Sequence, residues 1–254
     1  MFHSAIFGFI IYFMEILENI CEYYDELFPI ADGQRDFFTE EAATYGKPVK
    51  LLGVNCGTGL FEHQLATSGE SVTAIESEQP LLESANRRRR TQLMTLNFFK
   101  MTTLEMGRFL GKGFFNIAYI LNNRLLFISD DVLLEKFFYD IRQLLSDKGK
   151  FILSIPNFEK YPENSFDLPQ RQSIRARLES SVECEPNGER WLVQDLETGN
   201  GRIIPVTDAK INIITRNKIA ELAKKSGFSK AEYYSDFKKS AFDKKSDTLV
   251  AVIS

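Results

Sequence analysis

Histidine is scarce in this chain, and its scarcity excludes several kinds of enzyme. His3 and His63 are the only histidines among 254 residues. A serine-hydrolase triad and a histidine-rich metal site both need a correctly placed imidazole. We therefore expect neither chemistry, and the sequence predicts no metal site. His63 is expected to be a surface or packed residue rather than a catalytic base.

Cysteine is also rare, and its spacing excludes a disulfide framework. Cys21, Cys56 and Cys184 are odd in number and form no CxxC pair. The pattern argues equally against a structural zinc site, and it is typical of the reducing cytoplasm. We therefore predict a cytoplasmic protein. A chain of this length buries enough surface to fold without disulfide or metal staples.

An excess of positive charge is missing as well. The chain has 31 Lys and Arg against 35 Asp and Glu, for a net charge of −4. Affinity for nucleic acid depends on many phosphate contacts, so we expect no nucleic-acid partner. The run Arg87–Arg90 is expected to be a solvated helix end, where the helix dipole favours positive charge, rather than a phosphate patch.

The chain has no apolar run long enough to cross a membrane. Its first 14 residues, MFHSAIFGFIIYFM, contain no Asp, Glu, Lys or Arg, but a membrane-spanning helix needs about 20 residues. The first Lys or Arg is Arg35, so the positive n-region of a signal peptide is missing too. We predict no stable membrane insertion. Two interpretations stay open: translation starts at Met14, which we favour, or residues 2–13 form a core-packed or membrane-associated helix.

From residue 50 onward, short apolar runs alternate with amphipathic segments of helix length. This alternation indicates βαβ units on a parallel sheet. Strands are predicted at Lys50–Val54, Glu70–Ile75, Met94–Phe99, Phe115–Leu121, Lys150–Ile155, Ala231–Asp236 and Thr248–Ile253. Helices are predicted at Leu60–Ser68, Gln79–Arg90, Asp131–Ser146 and Arg216–Ser226. We expect an α/β, Rossmann-like, doubly wound sheet of seven mostly parallel strands, with the last strand antiparallel.

The alternation stops between residues 157 and 215. Turn signals at Asn187-Gly188 and Gly199-Asn200-Gly201 predict short antiparallel strands, at Arg175–Cys184, Glu189–Leu196 and Ala209–Ile214. We interpret this segment as a β-rich insert after strand five, a lid over the carboxyl ends of the strands, where such sheets bind ligands. The predicted organisation is an N-terminal extension and helix (1–22), a cofactor-binding core (23–156), the insert (157–215) and the rest of the core (216–254).

A glycine-rich turn joins the first predicted strand to the following helix. In residues 51–59, LLGVNCGTG, the glycines allow positive φ and close approach of a ligand, and the helix that follows presents free N–H groups. Glu76 ends the next predicted strand, where a carboxylate can accept hydrogen bonds from both ribose hydroxyls of a nucleoside. The turn, the helix and the acid together predict a nucleoside site. A dinucleotide site fits less well, because no glycine stands at the third position of GxGxxG after Gly57 and Gly59.

These residues resemble the class I S-adenosylmethionine-dependent methyltransferases. Residues 51–59 match the family's strand-and-turn pattern, with Cys56-Gly57-Thr58-Gly59 intact, and the similarity extends over about residues 23–254. Asn157–Lys160 and Tyr234–Phe237 are more narrowly similar to a bacterial subgroup related to glycine/sarcosine N-methyltransferases, which also carries a β-rich insert. The resemblance implies S-adenosylmethionine as the cofactor and names no catalytic side chain.

The resemblance also implies which residues contact the cofactor. They lie in the N-terminal helix, in the turn and after the strands: Tyr24, Gly53, Asn55, Cys56, Gly57, Gly59, Glu76, Ser77, Thr102, Thr103, Leu104, Asn122 and Asn123. Tyr23 and Tyr24 are candidates to close over the cofactor, with core packing as the equal alternative. Cys56 contributes through its backbone, so a catalytic thiol is not expected.

Several positions depart from the family pattern. Gly53 replaces an acid that usually helps to anchor the methionine ammonium, Asn55 replaces a glycine and Thr102 stands where an Asp is usual; after strand four the chain reads Asn122-Asn123-Arg124-Leu125, with Phe127 where a His is common. If these changes only weaken the site, Gly53→Asp with Asn55→Gly should tighten binding, whereas Glu76→Ala should weaken it with little effect on folding.

The sequence thus predicts methyl transfer from S-adenosylmethionine to a nitrogen or oxygen of a small molecule. The alternative is a degenerate member that binds cofactor weakly or not at all and serves as a regulatory or interaction protein. The acceptor and the oligomeric state are not predicted.

Overall fold

The computed structural model describes residues 20–89 and 94–254, which fall into two compact units. The α/β unit contains Ile30–Pro162 and Ile211–Ser254; the β unit contains residues 20–29 and Glu163–Lys210. The first 19 residues of the predicted N-terminal extension and helix (1–22), with the candidate start at Met14, and the predicted helix end at Arg90 lie outside the described residues.

The described residues form twelve strands, numbered in chain order. They are β1 Lys50–Val54, β2 Ser71–Glu76, β3 Leu96–Lys100, β4 Phe115–Ile120, β5 Leu145–Pro156, β6 Phe166–Asp167, β7 Arg171–Gln172, β8 Ala176–Cys184, β9 Arg190–Thr198, β10 Ile203–Ile211, β11 Ala231–Tyr234 and β12 Thr248–Ile253. Seven of them build the sheet of the α/β unit in the order β11-β12-β5-β4-β1-β2-β3. Strands β1 to β5 pair in parallel, and β12 runs antiparallel to both of its neighbours. The predicted Rossmann-like sheet is confirmed.

Helices alternate with these strands as the apolar periodicity predicts. They cover residues 20–27, Gln34–Ala42, Leu60–Thr67, Gln79–Arg88, Met106–Phe109, Asp131–Leu144 and Arg216–Lys225, with 3-10 turns at Arg124–Phe127 and Phe158–Lys160. The helix Asp131–Leu144 shows the local logic. The Asp130 side chain accepts a hydrogen bond from the Leu133 N–H and caps the first turn. The apolar residues recur every three or four positions and are buried, so one face of this helix joins the core.

An aromatic cluster fixes the helix that follows the glycine-rich turn. The Phe38 ring meets the Phe61 ring edge-on at 4.9 Å and the Tyr119 ring at 5.1 Å, and the Phe61 and Tyr119 centroids are 5.8 Å apart. These rings belong to a helix before β1, to the helix after the turn and to β4. Edge-to-face pairs of this kind add to the free energy gained by burying the rings. The cluster therefore holds Tyr119 and the helix Leu60–Thr67 in a fixed relation.

The β unit has a sheet and a hydrophobic core of its own. Its five strands follow the order β10-β9-β8-β6, with β7 also paired to β8, and the pairs that β8 makes are antiparallel. Residues 20–27 are helical, and Ile20 and Leu27 pack with Leu178 and Leu196 of the sheet. The N-terminal helix and the insert therefore share one core.

One predicted strand of the insert is misplaced. The pattern predicts Ala209–Ile214, whereas β10 covers Ile203–Ile211. Pro205 lies within β10 and cannot donate to a ladder, which argues against a strand at sequence level. Because β10 is an edge strand, the missing N–H can face away from the sheet.

Within residues 20–89 and 94–254, no helix is both long enough and apolar enough to span a membrane.

Candidate active site

The glycine-rich turn has the backbone conformation that the sequence predicts. Asn55, Gly57 and Gly59 have φ angles of 52°, 62° and 68°, all in the left-handed region. A Cβ at Gly59 would lie 2.5 Å from Cζ of Phe98, so this position admits only glycine. Asparagine tolerates the left-handed region better than most residues with a side chain, which is how the turn survives at Asn55.

Glu76 lies at the end of β2 and organises the turn. Its side chain is fully buried. Oε2 accepts a hydrogen bond from the Gly57 N–H at 2.8 Å, and Oε1 accepts from the N–H groups of Ser77 at 2.9 Å and Glu78 at 3.1 Å. The predicted site residues Gly57, Glu76 and Ser77 therefore meet where β1 and β2 end.

Arg124 also binds Glu76, a contact that no sequence pattern predicted. Its Nη2 donates to Oε1 of Glu76 at 3.0 Å, and 19% of the Arg124 side chain is exposed. The two residues are 48 positions apart. Arg124 begins the 3-10 turn after β4, and β4 is the neighbour of β1 on the side opposite β2. Parallel strand ends thus bring the guanidinium to the predicted ribose carboxylate.

These contacts correct one expectation about Glu76. The sequence predicts that Glu76→Ala would scarcely affect folding. In the structure the substitution would leave three backbone N–H groups without this acceptor and would remove the carboxylate that Arg124 binds. Loss of one partner from a buried ion pair is strongly destabilising, by about 3–5 kcal/mol. Glu76→Gln, which keeps the shape of the side chain, is the better probe of binding.

A second carboxyl group, that of Glu62, occupies the space above Gly53. An ideal Cβ built at Gly53 would lie 2.8 Å from Oε1 of Glu62 and 2.9 Å from the Tyr119 hydroxyl. The Tyr119 hydroxyl donates to Oε1 of Glu62 at 3.0 Å, and both residues are buried. An acid therefore stands close to where the resembling family places one, but it comes from the helix after the turn. Sequence reasoning missed Glu62; an acid on the apolar helix face that carries Phe61, Leu65 and Ala66 was the available signal.

Burial raises the pKa of two side chains at the turn, Glu62 and Cys56. Desolvation raises the pKa of the Glu62 carboxyl to about 7, and Glu76 adds to the rise; the hydrogen bond from Tyr119 and the charge of Arg88 oppose it. Desolvation also raises the pKa of the Cys56 thiol well above its usual value, with Glu62 and Glu76 adding to it. Cys56 is thus held as a neutral thiol, in agreement with the expectation that it is not a nucleophile.

The segments after β3 and β4 carry other residues that the sequence predicts at the site. The Thr102 N–H and hydroxyl both donate to the Glu105 carboxylate, at 2.9 and 2.8 Å, and Leu104 is half exposed. Asn122 and Asn123 have φ angles of 53° and 64°. Two consecutive left-handed asparagines are uncommon, and backbone conformations of this kind cluster at ligand sites.

Two predicted residues have other surroundings. Tyr24 belongs to the β unit, where it is buried and stacks on Phe28 at 4.8 Å. Tyr23 packs against the core of that unit beneath the Arg175 guanidinium. Within the β unit, both tyrosines make packing contacts, which is one of the two alternatives that the sequence left open for them. His63 is half buried on the helix after the turn.

Among the residues that the structure covers, no group of His, Cys, Asp and Glu could hold a metal ion.

The strand order, the turn and the additional sheet define a class of fold. It is the Rossmann-like fold of S-adenosylmethionine-dependent methyltransferases, with a seven-stranded, mostly parallel sheet and a further antiparallel sheet. The chain superposes on the CcbJ methyltransferase of Streptomyces caelestis with a TM-score of 0.76 and 18% identity, over 92% of this chain and 95% of that one. It superposes on CalS10, an amino pentose methyltransferase of Micromonospora echinaspora with S-adenosylmethionine bound, with a TM-score of 0.62 and 15% identity, over 87% and 89% of the two chains.

Comparison of the sequence alone gives a match over part of the chain. A protein of Geobacillus sp. (strain WCH70) that is named as a methyltransferase is 25% identical over 142 residues, which cover 54% of this chain and 56% of that protein. The match therefore spans just over half the length of this relative. No family model matches the chain.

Proposed function

We propose that this protein binds S-adenosylmethionine and transfers its methyl group to a nitrogen or oxygen of a small molecule. The observation that carries the proposal is the Glu76 carboxylate, held by the N–H groups of Gly57 and Ser77 at the ends of two adjacent parallel strands. Such a carboxylate beside a glycine-rich turn suits a ribose. The fold supports the proposal, as does the cofactor bound to CalS10.

The residues present fit the cofactor at three places. Glu76 would accept hydrogen bonds from the ribose hydroxyls. The buried Glu62 carboxyl beside the turn offers a negative charge for the methionine ammonium when it is ionised. The exposed Leu104 offers apolar surface for the adenine after β3.

The chain has little chemistry of its own to perform. The sulfonium supplies an electrophilic methyl group when the cofactor is bound. The protein has to hold the acceptor in line with that group and keep water away, for which no nucleophilic side chain is needed. The thiol of Cys56 is neutral and therefore a weak nucleophile, so it would not compete with the acceptor for the methyl group.

The acceptor is a small molecule in this proposal. CalS10 is an amino pentose methyltransferase and KedS8 is a sugar N-methyltransferase. These neighbours support nitrogen slightly over oxygen. The residues around Asn157 resemble a subgroup related to glycine/sarcosine N-methyltransferases, and an acceptor of that kind would also be a small molecule.

Titration calorimetry with S-adenosylhomocysteine tests the proposal. The full chain should bind, and Glu76→Gln should weaken binding by about 10- to 100-fold, the range for hydrogen bonds to a charged group. Glu83→Gln is the matched control, because Glu83 is an exposed acid on the helix that follows β2. No binding by the folded wild-type chain, or equal affinity for all three proteins, would remove the proposed site.

A second candidate function is a degenerate member of the fold that regulates or interacts without methyl transfer. The ion pair between Arg124 and Glu76 favours it, because a guanidinium already holds the ribose carboxylate. The absence of an acid at Gly53 is a weaker argument for a degenerate member, because the Glu62 carboxyl lies in the same place.

A further inference from the structure

Glu76 accepts hydrogen bonds unequally on its two oxygens. Oε1 takes three donors: the N–H groups of Ser77 and Glu78 and Nη2 of Arg124. Oε2 takes the Gly57 N–H. A carboxylate offers about four lone-pair positions in all. Oε1 already has three donors and no free position. Two ribose hydroxyls therefore cannot bind both oxygens of Glu76 while Arg124 stays in place.

The four donors differ in how easily they can move away from the Glu76 carboxylate. Three are backbone N–H groups, fixed by the turn after β1 and by the first residues after β2. The fourth is carried by the long side chain of Arg124, which retains 19% exposure and so has a way out to solvent. Withdrawal of Arg124 opens the position that the guanidinium holds on Oε1, while the N–H groups of Ser77 and Glu78 stay bound there.

We propose that Arg124 occupies the ribose position on Glu76 and is exchanged for the ribose diol when a nucleoside binds. The inference rests on the proposed function and adds a specificity-determining residue to it. A ligand has to bring hydroxyl donors that replace the guanidinium, because a buried carboxylate stripped of its partner is costly. Arg124 therefore lowers the affinity for nucleosides that carry the diol, whereas a ligand that lacks the diol leaves the ion pair with Glu76 in place.

Four proteins and three probes test the exchange. The proteins are wild type, Arg124→Ser, Glu76→Gln and the control Arg87→Ser, which removes the same charge from an exposed site on the helix Gln79–Arg88. The probes are S-adenosylhomocysteine, adenosine and 2′,3′-dideoxyadenosine. Affinities come from calorimetry, and circular dichroism reports folding. Arg124→Gln, which keeps most of the side chain's length without its charge, replaces Arg124→Ser if that variant unfolds.

We expect Arg124→Ser to tighten binding of S-adenosylhomocysteine and of adenosine by about tenfold, the value of one charge-assisted hydrogen bond that no longer has to be broken. The affinity for 2′,3′-dideoxyadenosine and the behaviour of Arg87→Ser should stay at wild-type values.

Unchanged or weaker binding of adenosine by Arg124→Ser, with wild-type binding intact, overturns the exchange and leaves the proposed function standing. An equal gain for 2′,3′-dideoxyadenosine overturns it too, because the effect would then not involve the diol. If wild type and Arg124→Ser are both folded and bind no probe, the proposed function fails, and the exchange fails with it.

Discussion

The most informative single residue is Glu62, because it changes the meaning of Gly53. At sequence level Gly53 is a lost acid. In the structure the carboxyl group of Glu62 fills that space, hydrogen-bonded to Tyr119. The expectation that Gly53→Asp with Asn55→Gly tightens binding therefore does not fit the structure, since an aspartate at 53 would collide with an acid that is already present.

We predict that Gly53→Asp lowers the free energy of unfolding by about 1–3 kcal/mol, the usual cost of overpacking a core. Repulsion between two adjacent carboxylates adds to this cost. Gly53→Asp with Glu62→Ala should regain part of the loss, because the contact with the Glu62 carboxyl is removed while that with the Tyr119 hydroxyl remains. Urea unfolding of the three proteins measures the effect, and a single variant as stable as wild type would contradict it.

The acidity of Glu62 gives stability a pH dependence. Its pKa is about 7 in the folded state, against an ordinary value of 4.5. Between these values the folded chain keeps a proton that the unfolded chain releases. The free energy of unfolding should therefore fall as pH rises through this window, by up to about 3 kcal/mol, and then level off.

Glu62→Gln isolates this effect. Its stability should fall less than that of wild type between pH 5 and pH 7.5 in urea titrations. Glu83→Gln, with an exposed acid removed, should follow the wild-type curve. A Glu62→Gln curve parallel to wild type would show that Glu62 titrates normally in the folded state.

At the scale of elements, the apolar patterns predicted the parallel sheet closely. The bounds of β1 and β12 agree with the prediction at both ends, because each is an apolar run bordered by polar residues. Strand β10 was misplaced because Pro205 masks an edge strand. The contacts that define the site, Arg124 with Glu76 and Tyr119 with Glu62, join residues 48 and 57 positions apart. No local pattern encodes such pairs, since they depend on which strands become neighbours.

The turn after β1 makes an element-scale prediction about Asn55. A residue with a Cβ and no compensating polar side chain pays about 1–2 kcal/mol in the left-handed region. We therefore expect Asn55→Ala to lower stability by about 1 kcal/mol, while Asn55→Gly stays near wild type. Thermal unfolding of both variants measures this. Equal losses would show that the asparagine side chain, rather than its φ angle, matters.

At the scale of the whole molecule, the described residues form two compact units from interleaved segments. Residues 20–29 join Glu163–Lys210, and the segments on either side of that insert complete the α/β unit. Sequence reasoning predicted the insert but assigned residues from 23 onward to the cofactor-binding core. Packing of Leu27 against Leu178 and Leu196 is a long-range contact that periodicity does not show.

The central claim is that Glu76 holds the ribose of a bound nucleoside. A crystal structure of the full chain with S-adenosylhomocysteine tests it most directly. We expect both ribose hydroxyls within hydrogen-bond distance of the Glu76 carboxylate, at about 2.7 Å, with Nη2 of Arg124 withdrawn from Oε1. A ligand bound elsewhere, or a ribose that does not contact Glu76, would contradict it.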